Sequence, residues 1–212
     1  MNRRACAPHS DSGVLMNAAA AHFPTLIRQT HPALPAVLND EIISAALTFA
    51  QDDEAGAWWS AHHDYPGYTS YGSFADLVTR AACFRVLKKA LDKEVALFAE
   101  ECGFDLGGRP LKLDSIWLNV LEPGGFHSGH IHPLSVVSGT YYADVPDGAA
   151  AIRFEDPRLP LMMAAPPRRN AASTHVEISP RPGMALFWES WLRHEVPMNM
   201  AEDERISVSF NY

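Results

Sequence analysis

The feature that most constrains this chain is a change of period near Leu111. From there, residues two apart group by side: Leu111, Leu113, Ser115, Trp117, Asn119 and Leu121 share one face of an extended segment. Short runs of strand character follow at 138–145, 151–154, 175–178, 184–188 and 206–212, divided by Gly, Pro and Asp. Side chains alternate across a strand, so this pattern is that of half-buried β structure. About six to eight short strands with no helix between them exclude alternating β/α units. An antiparallel sandwich or jelly roll is expected.

The N-terminal half reads differently. Asn39 or Asp40 is placed to cap a helix whose Ile42, Ile43, Ala46, Leu47 and Ala50 follow the 3.6-residue period, with Asp52-Asp53-Glu54 ending it. A second helix is predicted over 74–102, capped by Ser73, striped by Leu77, Phe84, Leu87, Leu91, Val95, Phe98 and Cys102, and closed by Gly103. Between them, Trp58–His63 and Tyr65–Tyr71 show no period and read as an aromatic loop that either lines a pocket mouth or anchors the helices. The expected organisation is one domain: a disordered arm over 1–16, an N-terminal helical part over 17–110, and a β core over 111–212. The stretch from Pro157 to Pro167 reads as a long surface loop.

Charge narrows the partners. Lys and Arg number 17 against 25 Asp and Glu, a net charge of −8. The pairs Arg3-Arg4, Lys88-Lys89 and Arg168-Arg169 are too short to form the basic face that phosphate binding needs, so no nucleic-acid partner is expected. No apolar run approaches the roughly 18 residues of a membrane span, and no membrane association is expected. Cys6, Cys83 and Cys102 lie too far apart in sequence for a Cys-x-x-Cys metal site and are odd in number, which fits a reducing, cytoplasmic setting.

Ten histidines remain to be placed, three of them, His127, His130 and His132, within 124–133. On a strand His130 and His132 point to one side and Ile131 to the other, with His127 near the strand entrance. Two imidazoles suit zinc, iron, copper or nickel, and a third ligand must arrive from elsewhere. His194, beyond the run Met184–Trp188, is the best candidate; the plain alternative is that these are satisfied core or surface histidines. Arg205 opens the last strand, and Ser207 shares its face. A guanidinium fork beside a hydroxyl is what a carboxylate ligand needs, whereas an edge-strand position would make Arg205 a surface group.

With these residues in place, the sequence resembles the Fe(II)- and 2-oxoglutarate-dependent oxygenases. Their pattern of His-x-Asp/Glu, a distal His, and a later Arg followed by Ser matches His130-x-His132, His194, Arg205 and Ser207. Trp117-Leu118-Asn119, His130–Pro133, Ser138–Tyr142, Glu155–Arg158 and Arg205–Tyr212 are similar to a bacterial subgroup of such oxygenases without an assigned substrate, over roughly residues 20–212. The resemblance implies a mainly β, double-stranded β-helix (jelly roll) with N-terminal α-helices packed on it. It also implies iron(II) and 2-oxoglutarate as cofactors, a hydroxylase-type reaction with O₂, and a small-molecule or peptide substrate. His130, His132 and His194 would hold the metal, Arg205 and Ser207 the cosubstrate carboxylate, and Asn119 and Tyr142 would add hydrogen bonds.

His132 departs from that pattern, standing where most of the superfamily has a carboxylate. Either the metal takes three neutral imidazoles, or an acid such as Asp144 or Glu189 completes the set. A three-His, cupin-like dioxygenase that does not use 2-oxoglutarate is the alternative enzyme, and a jelly roll that binds a metal or ligand without turnover is the alternative outside catalysis.

Overall fold

The computed structural model describes residues 23–158 and 174–212. The predicted arm over 1–16, most of the Pro-rich stretch and Arg168-Arg169 fall outside them.

Among the described residues, ten strands form two antiparallel sheets. The larger contains β1 (Ile27–Thr30), β2 (Gly67–Thr69), β3 (Ser115–Leu121), β5 (Val137–Asp144), β8 (Ala185–Glu189) and β10 (Arg205–Asn211), in the order β1-β8-β5-β10-β3-β2. The smaller runs β4-β9-β6-β7, with β4 at His127–His130, β6 at Ile152–Glu155, β7 at His175–Ile178 and β9 at His194–Val196. This is the jelly roll that the period-two pattern foreshadows. The N-terminal part supplies helices and also both edge strands of the larger sheet.

The larger sheet is covered on both faces, which is why its strands are buried almost throughout. Ile116, Leu118 and Val120 of β3, with Ile206, Val208 and Phe210 of β10, face outward onto helices α1 (Leu38–Asp52), α3 (Leu77–Arg80) and α4 (Ala82–Glu101). Helix α4 sets Phe84, Leu87, Leu91, Val95 and Phe98 against them as one stripe. Each such side chain contributes roughly 1.5–3 kcal/mol on burial, which makes this the main stabilising layer. The other face, with Leu121, Tyr142, Leu186 and Trp188, meets Phe154 of the smaller sheet in a second core.

Several sequence expectations are corrected. The predicted helix over 74–102 is interrupted: Ala81 is extended (φ −142°, ψ 151°) between α3 and α4. Ser73 does not cap it, because its hydroxyl bonds Asp53, and the carbonyl of Ala75 is taken by the amide of Ile116 in β3. Asn39 lies inside α1 rather than at its cap, donating to the Ala143 carbonyl (2.8 Å) and accepting from the Tyr141 hydroxyl (2.8 Å), which ties the helix to β5. The aromatic stretch is not a loop. It holds helix α2 (Glu54–His62), capped by the Asp53 carboxylate on the Gly56 amide, then β2 and a 3₁₀ turn over Ser70–Gly72. Helix α2 shows no apolar stripe because the residues it buries, Gly56 and Ser60, are small. Strand β3 begins at Ser115, after Leu111 and Leu113, and the short strands β1, β2, β4 and β9 escape the period-two reading.

Candidate active site

Between the two sheets lies a cavity of about 300 Å³. His130 and His194 reach it from adjacent positions in register on β4 and β9. A β-bulge in β4 sets four residues, His127 to His130, against three on β9, Val196 to His194. His127 and His130 therefore both line the cavity although they are an odd number apart, a local effect that bulges produce. His132 lies just past the end of β4, not within the strand as period two suggests, yet its ring still turns inward, 5.2 Å from the ring of His130 and 5.1 Å from that of His194.

One ring nitrogen from each of His130, His132 and His194 lies within 4.8 Å of the others, and among the described residues this is the group of metal-capable side chains that converges. A cation at about 2 Å from each nitrogen suits such a set. The other ring nitrogens have partners: Nδ1 of His130 meets the Ser128 carbonyl (2.7 Å), Nδ1 of His194 the Leu192 carbonyl (2.9 Å), and Nδ1 of His132 the Asn211 amide oxygen (2.7 Å). With Nδ1–H donating, Nε2 keeps its lone pair for a metal. Burial opposes protonation of all three rings: it lowers the pKa of His130 and His132 and, with the repulsion a protonated His130 would add, that of His194 to about 3. Neither Asp144 nor Glu189 lines the cavity.

The deeper end is polar. Arg205, 3% exposed, donates from Nη1 to the Ala150 carbonyl (3.0 Å), while its Nε is buried without a hydrogen-bond partner and, among the described residues, no carboxylate pairs with it. Ser207 opposes Asn119 of β3 and Tyr142 of β5 in register, so the three form one row across the sheet, next to a bulge in the pairing of β10 with β5. The Tyr142 hydroxyl is also buried without a partner, and burial pushes its pKa up to about 12 against the charge of Arg205. Asn119 accepts from Thr69 (2.9 Å) and donates to Ser209 (3.0 Å). The seven residues singled out from sequence thus line one cavity.

Sequence reasoning missed other members of the site. Tyr65 hydrogen-bonds His127 (2.9 Å) beside Arg205, and burial together with the Arg205 charge holds the His127 pKa down to about 3. The bulge hides His127 from a period-two reading. Trp188 lies 4.7 Å from the His194 ring with its indole N–H buried and unpartnered. Asn211 carries the bond to His132. At the mouth Trp59, Tyr71 and Trp117 form an aromatic wall; a side chain at Gly72 would come within 2.1 Å of the Trp59 ring, so glycine there lets that ring lie on the turn. This favours the pocket-mouth reading of the aromatic stretch.

Residues 115–211 match the family described as "Putative 2OG-Fe(II) oxygenase". No curated protein matches the chain in sequence. Among solved structures, AviO1 from Streptomyces viridochromogenes superposes with a TM-score of 0.61 at 14% identity, covering 89% of each chain. A Pseudomonas putida prolyl-4-hydroxylase does so at 0.54 and 16%, covering 89% of this chain and 88% of that one. HygX from Streptomyces hygroscopicus, solved with nickel and 2-oxoglutarate bound, gives 0.56 and 13%, covering 88% and 82%. At these identities the structural likeness establishes the fold.

Proposed function

We infer, from a β core that is a 2OG-Fe(II) oxygenase domain by sequence family, that the chain binds iron(II) through His130, His132 and His194 and 2-oxoglutarate through Arg205. The observation that carries this is the buried, uncompensated charge of Arg205. An unpaired cation in a low-dielectric wall is costly, and an anion that neutralises it from the cavity recovers that cost. The planar guanidinium fork suits a carboxylate, Ser207 and Tyr142 offer hydroxyl donors in the same row, and Tyr65 stands beside them. His130, His132 and His194 would hold the 2-oxo acid end of 2-oxoglutarate through the metal, and Arg205 would hold its far carboxylate.

The donor set fits a divalent metal of the iron class, since three neutral imidazoles with satisfied Nδ1 atoms present Nε2 lone pairs together. Iron there supplies oxygen activation coupled to conversion of 2-oxoglutarate to succinate and CO₂. The protein's own contribution is to keep the rings neutral, hold the anion, and offer an aromatic mouth for a small-molecule or peptide substrate. Among the described residues no helix is long and apolar enough to cross a membrane. A cytoplasmic setting and the absence of a nucleic-acid partner belong to this proposal and rest on cysteine spacing and net charge.

The donor set also favours a second reading, a three-His dioxygenase independent of 2-oxoglutarate. Anaerobic calorimetry of 2-oxoglutarate into Mn(II)-loaded protein separates the two. Binding is expected in the wild type, weakened about ten- to several-hundredfold in Arg205→Ala with metal content unchanged, since charge-assisted bonds contribute roughly 1.5–3 kcal/mol each. Equal affinity in both proteins, or no binding in either, would promote the second reading.

A further inference from the structure

Among the three histidines, His132 is held differently. Nδ1 of His130 and of His194 meets a backbone carbonyl, which can only accept, so each ring is committed to carrying its proton on Nδ1. His132 instead meets the side-chain amide of Asn211. An amide presents an oxygen or an NH₂ to the ring according to its rotation, so whatever orients Asn211 sets the tautomer of His132.

The orienting groups are buried serines. Asn211 ends strand β10, opposite Ser115 of β3 and Ser138 of β5. Its Nδ2 donates to Ser115 Oγ (3.1 Å), and its Oδ1 accepts from Ser138 Oγ (2.8 Å). Ser138 in turn meets Ser190 Oγ at 2.7 Å, and both serines are fully buried. Ser190 closes the loop by accepting the backbone N–H of His132 at its carbonyl (3.0 Å). Backbone and ring of His132 are therefore fixed by one connected network, at the position where a carboxylate would need no tautomer control.

Resting on the metal-centre reading above, we propose that Asn211 is a positioning residue, held by Ser138 and Ser190, that commits His132 to the Nδ1–H tautomer and so makes its Nε2 a metal ligand. With the amide turned over, NH₂ would face Nδ1, the ring proton would move to Nε2, and the lone pair would point away from the cavity centre. Ser138, by donating to Oδ1, holds the amide against that turn.

The test needs no loaded enzyme. In metal-free wild type, nitrogen-15 NMR of the imidazoles is expected to show His132 protonated on Nδ1. Zn(II) affinity, read by chelator competition, is expected to fall about 10–100-fold in Asn211→Leu, the usual size of an outer-partner effect. Asn211→Asp, which can only accept from Nδ1, should bind as wild type or tighter, and Ser138→Ala should lose less than Asn211→Leu. If Asn211→Leu does not fold, Asn211→Asp, Ser138→Ala and the wild-type spectrum decide alone. His132 protonated on Nε2 in the wild type, or Asn211→Asp losing as much affinity as a folded Asn211→Leu, overturns the proposal. His132→Ala with undiminished Zn(II) affinity would instead remove His132 from the metal set, a failure of the functional reading that leaves the tautomer result standing.

Discussion

The two faces of strand β10 are both largely hidden from solvent and chemically opposite. Ile206, Val208 and Phe210 are 0–2% exposed against the helices, while Arg205 and Ser207 are each 3% exposed against the cavity. Exposure does not separate the rows; polarity does. On the helix side the buried row is satisfied by apolar contact. On the cavity side a guanidinium, a phenol and an indole keep buried donors without a partner. Folded proteins seldom leave such groups unmatched, so the comparison locates where a ligand completes the structure. One row stabilises the molecule and the other gives it something to bind.

Breaking the apolar row should have the largest effect on stability. Phe210→Ala is expected to cost about 3–5 kcal/mol in denaturant unfolding, as large aromatic truncations in a packed core do. At temperatures where that variant stays folded, its 2-oxoglutarate affinity should stay close to that of the wild type.

Acidification probes the cavity side. His127 and His194 are held near 3 by burial, whereas an unfolded chain protonates its histidines near the ordinary 6.5. As pH falls from about 6.5 toward 3, the unfolded state takes up protons that the folded state refuses, so stability is lost on the acid side. Each group contributes up to roughly 1.4 kcal/mol per pH unit in that window. Thermal melts of metal-free protein at pH 7 and pH 5 should show the loss, and His127→Gln should reduce it.

The smallest effect sharpens the comparison most. Arg205→Met removes an unpaired buried charge, and in the absence of ligand it is expected to raise stability by about 1 kcal/mol. The reverse change in the apolar row, Val208→Arg, would unfold the protein.

Much of this division can be read in the sequence because strand period is rigid. In Arg205–Asn211 the even positions are apolar and the odd ones polar, and that alternation alone places Arg205 and Ser207 on one face. The pairing of His130 with His132 follows from the same rule, although β4 ends at His130 and the chain beyond carries His132 inward by its bond to Ser190. What period two cannot see is a change of phase. The bulge in β4 brings His127 inward, and the three-residue strand β9 is too short to show any pattern around His194. Tyr65 is unreadable for another reason, since it joins His127 across 62 residues of sequence through tertiary packing. The late start of the predicted helix, at Leu77 rather than 74, is of the same kind, because a hydrogen bond from Ile116 of β3 takes the Ala75 carbonyl and overrides a local helical pattern.

The most direct test of the account follows both faces of β10 at once. Alanine is placed singly at positions 205 to 211, and each variant is measured for melting temperature and for anaerobic, Mn(II)-dependent 2-oxoglutarate affinity. The expected result alternates: losses of melting temperature concentrate at Ile206, Val208 and Phe210, and losses of 2-oxoglutarate affinity concentrate at Arg205 and Ser207, greatest at Arg205. Metal-loaded wild type that binds no 2-oxoglutarate, or affinity losses as large at Val208 as at Arg205, would contradict it.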